Sequence, residues 1–156
     1  MSSWSTLKPK LNNFMKDTNI ADNNDTASDY VQLPAEQPTL RLLTRPLDTN
    51  ASGDIFGGWI MSQVDMAGAV AAKRQAHGRV VTVAVNSFHF KKPVYVGDLI
   101  SLYAKVIKTG TTSITVFVEV YAERDPTKTE SIKVTEATLT YVAIDENGKP
   151  RAVHPG

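Results

Sequence analysis

The protein is a chain of 156 residues in which 17 lysines and arginines balance 16 aspartates and glutamates, so its formal net charge at pH 7 is +1. This balance argues against a dedicated nucleic-acid-binding protein, and the absence of cysteine excludes disulfides and thiolate chemistry. The sequence contains no run of 18 apolar residues and no apolar signal-peptide core, so we expect no membrane partner and a reducing compartment, most simply the cytoplasm.

The first 38 residues differ in composition from the remainder of the chain. They are rich in Asn, Asp, Ser, Thr, Lys and Pro, and they show no sustained apolar period. Because such a segment buries little apolar surface, we predict a mobile N-terminal tail over residues 1–38 and one domain over residues 39–156. A short amphipathic turn between Trp4 and Phe14 is the alternative for part of the tail, since apolar residues recur there at spacings of three and four.

The domain begins with a predicted strand and a predicted long helix. The strand is the apolar run Leu40–Thr44, and the helix extends from Trp59 to Ala76. The helix is composed of Ala, Met, Val, Ile and Gly on almost all sides, which is typical of a buried helix. Cations occupy its last turn, and the pair His77-Gly78 supplies a stop signal.

Four strand-like segments follow the helix. The first starts near Val81 with period-2 alternation, and a change in its apolar parity predicts a bulge near Asn86–Ser87. The others are predicted at Leu99–Ile107, Ile114–Tyr121 and Ser131–Ile144, with short or moderate turns between them. Strands joined in this way pair antiparallel. One buried helix and an antiparallel meander predict an α+β fold in which the sheet wraps around the helix.

The predicted helix carries a carboxylate, Asp65, in an apolar setting. An isolated buried carboxylate is costly and is retained only when it is paired or used. No cation lies three or four residues away, whereas Gly68 and Ala69 leave space beside Asp65 for a ligand or a partner subunit. Periodicity alone leaves two interpretations open: a catalytic group, or a structural group at a subunit interface or paired with a distant cation.

The loop before the helix combines glycines with an asparagine. Gly57 and Gly58 lie at the helix start, where unpaired backbone N–H groups form an anion or oxyanion site. Asn50 adds an amide able to hold a water molecule or a carbonyl. With Asp65, these groups supply a base and an oxyanion donor, the two parts that hydrolysis of an acyl bond requires. The alternative is an ordinary helix cap with Asn50 as a turn residue.

The run DTNASGDIFGGWIMSQVD at residues 48–65, followed by HGRVVTVAV and KPVYVGD, closely resembles the YciA-like acyl-CoA thioesterases. The resemblance extends over about residues 39–153. It implies the hotdog fold, an antiparallel sheet around one long helix, and hydrolysis of acyl-CoA thioesters to free CoA and a carboxylic acid. It also implies a homo-oligomer, built as a trimer of dimers with active sites between paired subunits. No metal or other cofactor is implied, since coenzyme A is part of the substrate and product.

The same resemblance assigns roles to individual residues. Asp65 takes the position of the family's catalytic aspartate, and Asn50 takes that of the asparagine that accompanies it. Gly57 and Gly58 match the helix-start glycines whose N–H groups face the thioester carbonyl. Segments that match CoA-contact regions predict substrate binding through Arg79, Val81, Thr82, Lys91, Lys92 and Pro93. The alternative for those segments is a strand with solvated flanking cations.

Two other functions are compatible with the sequence. A hotdog hydratase or dehydratase typically pairs a histidine with an acid, but residues 48–58 contain no histidine. His77 lies at the far end of the helix, and His89 is expected to pack or form a hydrogen bond on its strand. A non-catalytic acyl-CoA-binding regulatory module would keep the ligand cleft without needing a base. The histidines lack metal-ligand spacing, so no metal site is predicted, and the sequence leaves Asp65 open as general base or nucleophile.

Overall fold

A computed structural model describes residues 25–154, and within them one α-helix, α1 (Gly57–Ala76), lies against an antiparallel sheet of six strands. The strands in chain order are β1 (Tyr30–Val31), β2 (Leu40–Leu43), β3 (Val80–Phe90), β4 (Leu99–Thr109), β5 (Ser113–Glu123) and β6 (Ser131–Ala143). Short 3-10 helices at Ala27–Asp29 and Pro46–Asp48 complete the regular elements of that range. None of the described helices has the length and apolarity needed to cross a membrane.

The sheet is a meander with one longer connection. β4, β5 and β6 pair antiparallel in sequence order, and β2 pairs with the outer side of β4. β3 directly follows the helix but pairs with β6, and β1 pairs with the start of β6 on the same side. The predicted α+β fold with an antiparallel sheet around one long helix is therefore confirmed.

α1 is buried along one face rather than on all sides. Its buried residues recur with the helical period and are Ile60, Gln63, Val64, Ala67, Gly68, Ala72 and Ala76. They share one core with alternate residues of β5, among them Val116 and Val118. On the other side, Met61 and Met66 are 40% and 48% exposed. The helix that was predicted to be buried is therefore covered on one side only in the single chain, where the sheet packs against it.

The predicted strand boundaries agree with the structure to within a few residues. The register between β3 and β6 shifts between Thr82 and Ala84, and again between Val85 and Ser87. The second shift is the bulge predicted near Asn86–Ser87. The first was not predicted, because the valine alternation continues through it without a change of parity.

Part of the predicted tail belongs to the folded domain. Tyr30–Val31 pairs with the start of β6, and the Ser131 hydroxyl donates to the Val31 carbonyl at 2.7 Å. Composition could not indicate this, because both partners lie about 100 residues further along the chain. We therefore place the start of the folded part before residue 38. The amphipathic turn considered between Trp4 and Phe14 lies outside the described residues.

Arg124 joins the N-terminal segment to the loop after β3. Its guanidinium pairs with the carboxylates of Asp25 and Asp98, donates to the Pro93 carbonyl at 2.9 Å and lies 4.5 Å from the Tyr95 ring centroid. Burial raises the pKa of the Asp98 carboxyl, whereas the Tyr95 backbone N–H and Arg124 act in the opposite direction. The Arg124 side chain is only 9% exposed, so these charges balance each other inside the protein.

Arg124→Gln is expected to lower the free energy of unfolding by about 3 kcal/mol, because it leaves the Asp98 carboxylate buried without its cation. Equilibrium unfolding in urea at a fixed protein concentration measures the change. Lys128→Gln is the control, since Lys128 forms an ion pair with Asp125 in which the two side chains are 63% and 47% exposed. Its loss should stay below about 1 kcal/mol. Equal losses for the two variants would contradict the role given to Arg124.

Candidate active site

Asp65 lies on the third turn of α1 with its side chain half-buried. Its carboxylate oxygen Oδ1 accepts a hydrogen bond from the Thr82 hydroxyl of β3 at 2.7 Å and from the Tyr141 hydroxyl of β6 at 3.1 Å. No arginine or lysine among residues 25–154 forms an ion pair with it. The carboxylate is thus held by neutral donors. Within the described residues, the alternative that Asp65 pairs with a distant cation is not supported.

Tyr141 fills the space that the sequence analysis left open beside Asp65. Its ring is fully buried, and its hydroxyl also lies 2.9 Å from the backbone oxygen of Asp65. A methyl group at Gly68 would overlap that hydroxyl. The expectation that Gly68 leaves room for a ligand or a partner subunit is wrong, since the helical period shows where small residues lie but not which strand residue covers them.

Sequence reasoning missed Tyr141. On β6 it shares its parity with the buried residues Ala137, Leu139 and Ala143. A tyrosine on the core face needs a hydrogen-bond partner for its hydroxyl, and this requirement could have marked Tyr141 in the sequence. The identity of the partner, Asp65, required the packing of the helix on the sheet.

A second group of predicted residues surrounds a cavity at the start of α1. The cavity has a volume of about 370 Å³, and its wall includes Asn50, Gly57, Lys91, Lys92 and Pro93. Asp65 is not part of this wall. It lies eight residues beyond Gly57 on the same helix, which corresponds to about 12 Å along the axis. A single chain therefore holds the predicted base and the predicted helix-start donors at separate places.

Asn50 is fixed by the turn that it starts. Its Oδ1 accepts hydrogen bonds from the backbone N–H groups of Ser52 at 2.9 Å and Asp54 at 3.2 Å. Gly53 adopts φ 87° within this turn, a conformation that favours glycine. Because Oδ1 is used in the turn, Nδ2 is the group left to act as a donor toward the cavity. The turn role and the binding role predicted for Asn50 are thus compatible.

The two glycines at the helix start differ in their surroundings. Neither the Gly57 nor the Gly58 N–H has an acceptor within residues 25–154, whereas Trp59 and Ile60 both donate to the Phe56 carbonyl. A methyl group at Gly57 would lie 3.1 Å from the Phe90 ring, but one at Gly58 would meet no atom within 4 Å. Packing thus restricts Gly57, while Gly58 presents a free N–H in open space.

Both predicted binding lysines form ion pairs within the chain. Lys91 lies 3.1 Å from Glu136, and Lys92 lies 3.0 Å from Asp29. The Glu136 carboxyl has its pKa lowered, first by Lys133 and then by Lys91. The positive charge at this edge of the cavity is therefore partly balanced by acids of the same chain.

Arg79, Val81 and Thr82 lie at the opposite end of β3 from the cavity. Arg79 donates to the carbonyls of Asp145 and Glu146, at 3.4 and 3.2 Å. Val81 is exposed. Of the three, Thr82 contacts Asp65, so the structure divides the predicted binding residues between two ends of one strand.

The histidines do not form the pair that a hydratase would use. His77 ends α1 in the left-handed conformation with φ 48°, and His89 is exposed on β3. Neither is paired with a carboxylate of the described chain. In residues 25–154 no three histidine or acidic side chains cluster closely enough to hold a metal ion.

The sequence has clear relatives among known proteins. The family model described as the thioesterase superfamily matches residues 52–129. The acyl-CoA thioester hydrolase YciA of Salmonella typhimurium is 51% identical over 120 residues, which make up 76% of this chain and 90% of that protein.

Solved structures share the fold at similar identity. A hexameric thioesterase of Yersinia pestis has a TM-score of 0.73 and 52% identity, over 80% of this chain and 100% of that one. A hexameric hotdog fold thioesterase of Campylobacter jejuni has a TM-score of 0.72 and 46% identity, over 76% and 91% of the two chains. The hotdog fold implied by the sequence resemblance is therefore confirmed.

Gly68→Ala is expected to lower the free energy of unfolding by about 1–3 kcal/mol, because the new methyl group overlaps the buried Tyr141 hydroxyl. The same change inside a helix ordinarily stabilises by about 0.5–1 kcal/mol. Urea unfolding of the wild-type and Gly68→Ala proteins measures the sign of the change in the free energy of unfolding. Gly58→Ala, with open space around its new methyl group, should be neutral or slightly stabilising. A stabilised Gly68→Ala protein would disprove the close packing of Tyr141 on α1.

Proposed function

This chain belongs to the thioesterase superfamily, and on that premise we propose that it hydrolyses acyl-CoA thioesters to free coenzyme A and a carboxylic acid. The observation that carries the proposal is the Asp65 carboxylate, which is half-buried on the central helix without a cation among the described residues. Such a group is available to accept a proton, whereas one locked to an arginine is not. The YciA relative at 51% identity supports acyl-CoA as the substrate class.

Asp65 is proposed to act as the general base. A thioester carbonyl is electrophilic because sulfur donates poorly by resonance, so an activated water molecule is a sufficient nucleophile. The ionised carboxylate accepts a proton from that water as it attacks, a contribution of roughly 10²–10⁴-fold in rate. Direct attack by the carboxylate would instead form a mixed anhydride.

The start of α1 is proposed to stabilise the oxyanion of the tetrahedral intermediate. The free Gly58 N–H and the positive end of the helix dipole supply this stabilisation, and one such donor contributes about 3 kcal/mol. Asn50 orients the water or the carbonyl through its Nδ2 group. The neighbouring Lys91 and Lys92 suit the phosphates of coenzyme A, whose polar part we place at the cavity.

Subunit pairing along β3 is proposed to bring the two parts of the site together. Among residues 25–154, β3 pairs with β6 alone, so the other edge of β3 presents unpaired backbone groups. Two β3 strands related by a two-fold axis run antiparallel. The end at Phe90, beside the cavity, then approaches the partner's end at Val80, near Thr82 and Asp65.

The complete assembly is proposed to be a trimer of dimers. The Yersinia and Campylobacter structures are hexameric. Exposed apolar side chains outside β3 offer a contact between dimers; they are Leu43, Leu47, Phe56 and Val96. The reaction requires no cofactor beyond the coenzyme A of its substrate, and the cytoplasmic location stays a prediction.

Asp65→Asn is expected to lower kcat for thiol release by about 10²–10⁴-fold, because the amide cannot accept the proton. Release of free CoA from a short acyl-CoA, followed with a thiol reagent, measures the rate. Asp125→Asn is the control, since Asp125 lies in the loop between β5 and β6 and should leave kcat unchanged. Equal rates for wild type and Asp65→Asn would remove Asp65 from the mechanism.

The same assay separates the other functions. CoA binding without thiol release would identify a regulatory module, and a change in enoyl absorbance without thiol release would identify a hydratase. Single-turnover hydrolysis in ¹⁸O water distinguishes the roles of Asp65, because label in its carboxylate would identify the anhydride route.

Val83→Lys is expected to break the pairing along β3, so that the mass of the assembly falls below that of six 17.0 kDa chains, and to abolish thiol release. A lysine on β3 opposes strand pairing between copies. Light scattering after gel filtration measures the mass. Ile107→Lys is the matched control, because Ile107 on β4 and Val83 are both 54% exposed. An intact, active Val83→Lys assembly would rule out pairing along β3.

A further inference from the structure

Two hydroxyl groups from different strands converge on one oxygen of the Asp65 carboxylate. Thr82 of β3 and Tyr141 of β6 both donate to Oδ1, and no hydrogen-bond donor among residues 25–154 reaches Oδ2. We propose that Thr82 and Tyr141 are positioning residues that hold the Asp65 carboxylate by Oδ1, so that Oδ2 is the oxygen that takes the proton from water. This inference rests on the proposed hydrolysis.

Tyr141 is anchored more firmly than a surface donor would be. Its ring is fully buried in the core, and its hydroxyl lies 2.9 Å from the backbone oxygen of Asp65 and 3.1 Å from Oδ1. One hydroxyl proton is shared between these two acceptors, which ties the side chain of Asp65 to its own backbone. Gly68 makes this possible, because any larger residue would displace the hydroxyl.

Tyr141 remains a donor over the working range of pH. Burial first, and the negative charge of Asp65 second, raise the pKa of Tyr141 well above its ordinary value. The phenol therefore keeps its proton beside the carboxylate. A hydroxyl that cannot ionise is suited to orient the base without taking part in the proton transfer.

Thr82 lies beside an irregularity of its strand, and its hydroxyl contacts Asp65 on α1. The register between β3 and β6 shifts immediately after Thr82. Bulges of this kind redirect a side chain and often lie beside active sites. The hydroxyl reaches Oδ1 at 2.7 Å, the shorter of the two side-chain bonds to Asp65. The contact with Asp65 supports the positioning role of Thr82, and its predicted contact with coenzyme A stays a prediction.

The proton moves through Oδ2 in both halves of the reaction. As the water oxygen bonds to the thioester carbon, one O–H bond breaks, its proton passes to Oδ2, and the carbonyl π electrons move to the oxyanion. When the intermediate collapses, the C–S bond breaks and its electron pair leaves with sulfur. The proton on Oδ2 then passes to that thiolate, which restores the carboxylate and releases the thiol.

Tyr141→Phe tests the proposal without removing the ring from the core. We expect kcat for thiol release to fall by about 10- to 100-fold, the range for a hydrogen bond to a charged group, with KM nearly unchanged. Tyr121→Phe is the matched control: Tyr121 is also buried in the sheet, but its hydroxyl contacts Glu119. Both kinetic constants should stay at wild-type values in that variant.

Thr82 allows a conservative rescue. Thr82→Val keeps the shape of the side chain and loses the hydroxyl, so kcat should fall, whereas Thr82→Ser keeps the hydroxyl and should retain most of the rate. Tyr141→Phe added to Asp65→Asn should cause no further loss, because there is no base left to orient. An additive loss in that double variant would show a purely structural role and overturn the proposal.

The outcomes distinguish this inference from the proposed function. A wild-type protein that releases no thiol, or an Asp65→Asn protein with full activity, contradicts the hydrolysis itself. Loss of activity in Asp65→Asn, with wild-type kcat in Tyr141→Phe and Thr82→Val, overturns the positioning roles alone. If Tyr141→Phe does not fold, the comparison of Thr82→Val with Thr82→Ser decides, since Thr82 is exposed.

Discussion

The buried stripe of α1 packs on the inner face of β5 and its neighbours, and Val64 lies at its centre with no exposed surface. Hydrophobic burial of this stripe fixes the rotation of the helix about its axis. Asp65 is the next residue, about 100° further around, and therefore lies at the border between core and solvent. The same packing brings Tyr141 beneath it and Thr82 beside it. The position of the proposed base is thus a consequence of how the helix packs on the sheet.

The surroundings of Asp65 differ from those of the acids that stabilise the fold. Asp25 and Asp98 form ion pairs with Arg124, and Asp29 forms one with Lys92, so the charges of these acids are balanced within the protein. Asp65 receives hydroxyl groups instead, which orient a carboxylate but leave it negatively charged and able to accept a proton. This contrast supports a chemical role for Asp65 and a structural role for the acids of the N-terminal segment.

The separation between Asp65 and the cavity at the start of α1 follows from the helix that carries both. Groups eight residues apart on a rigid helix stay about 12 Å apart whatever the rest of the chain does. The proposed site, which needs Asp65, Asn50 and the Gly58 N–H together, is consequently incomplete in one chain. The proposed pairing of β3 strands resolves this, since two-fold symmetry places unlike ends of the strand side by side.

The sequence by itself determined the helix, the long strands and their antiparallel order, because apolar periods of 3.6 and 2 are local properties of the chain. It also marked Asp65, as a carboxylate without a neighbouring cation, and the glycines at the helix start. Only the tertiary structure showed that Tyr141 fills the recess at Gly68, that the Thr82 hydroxyl donates to Asp65, and that Tyr30–Val31 joins the sheet. Each of these contacts joins residues that are distant in the sequence. Whether they meet depends on how the helix packs on the sheet and on the strand register, which local sequence patterns do not specify.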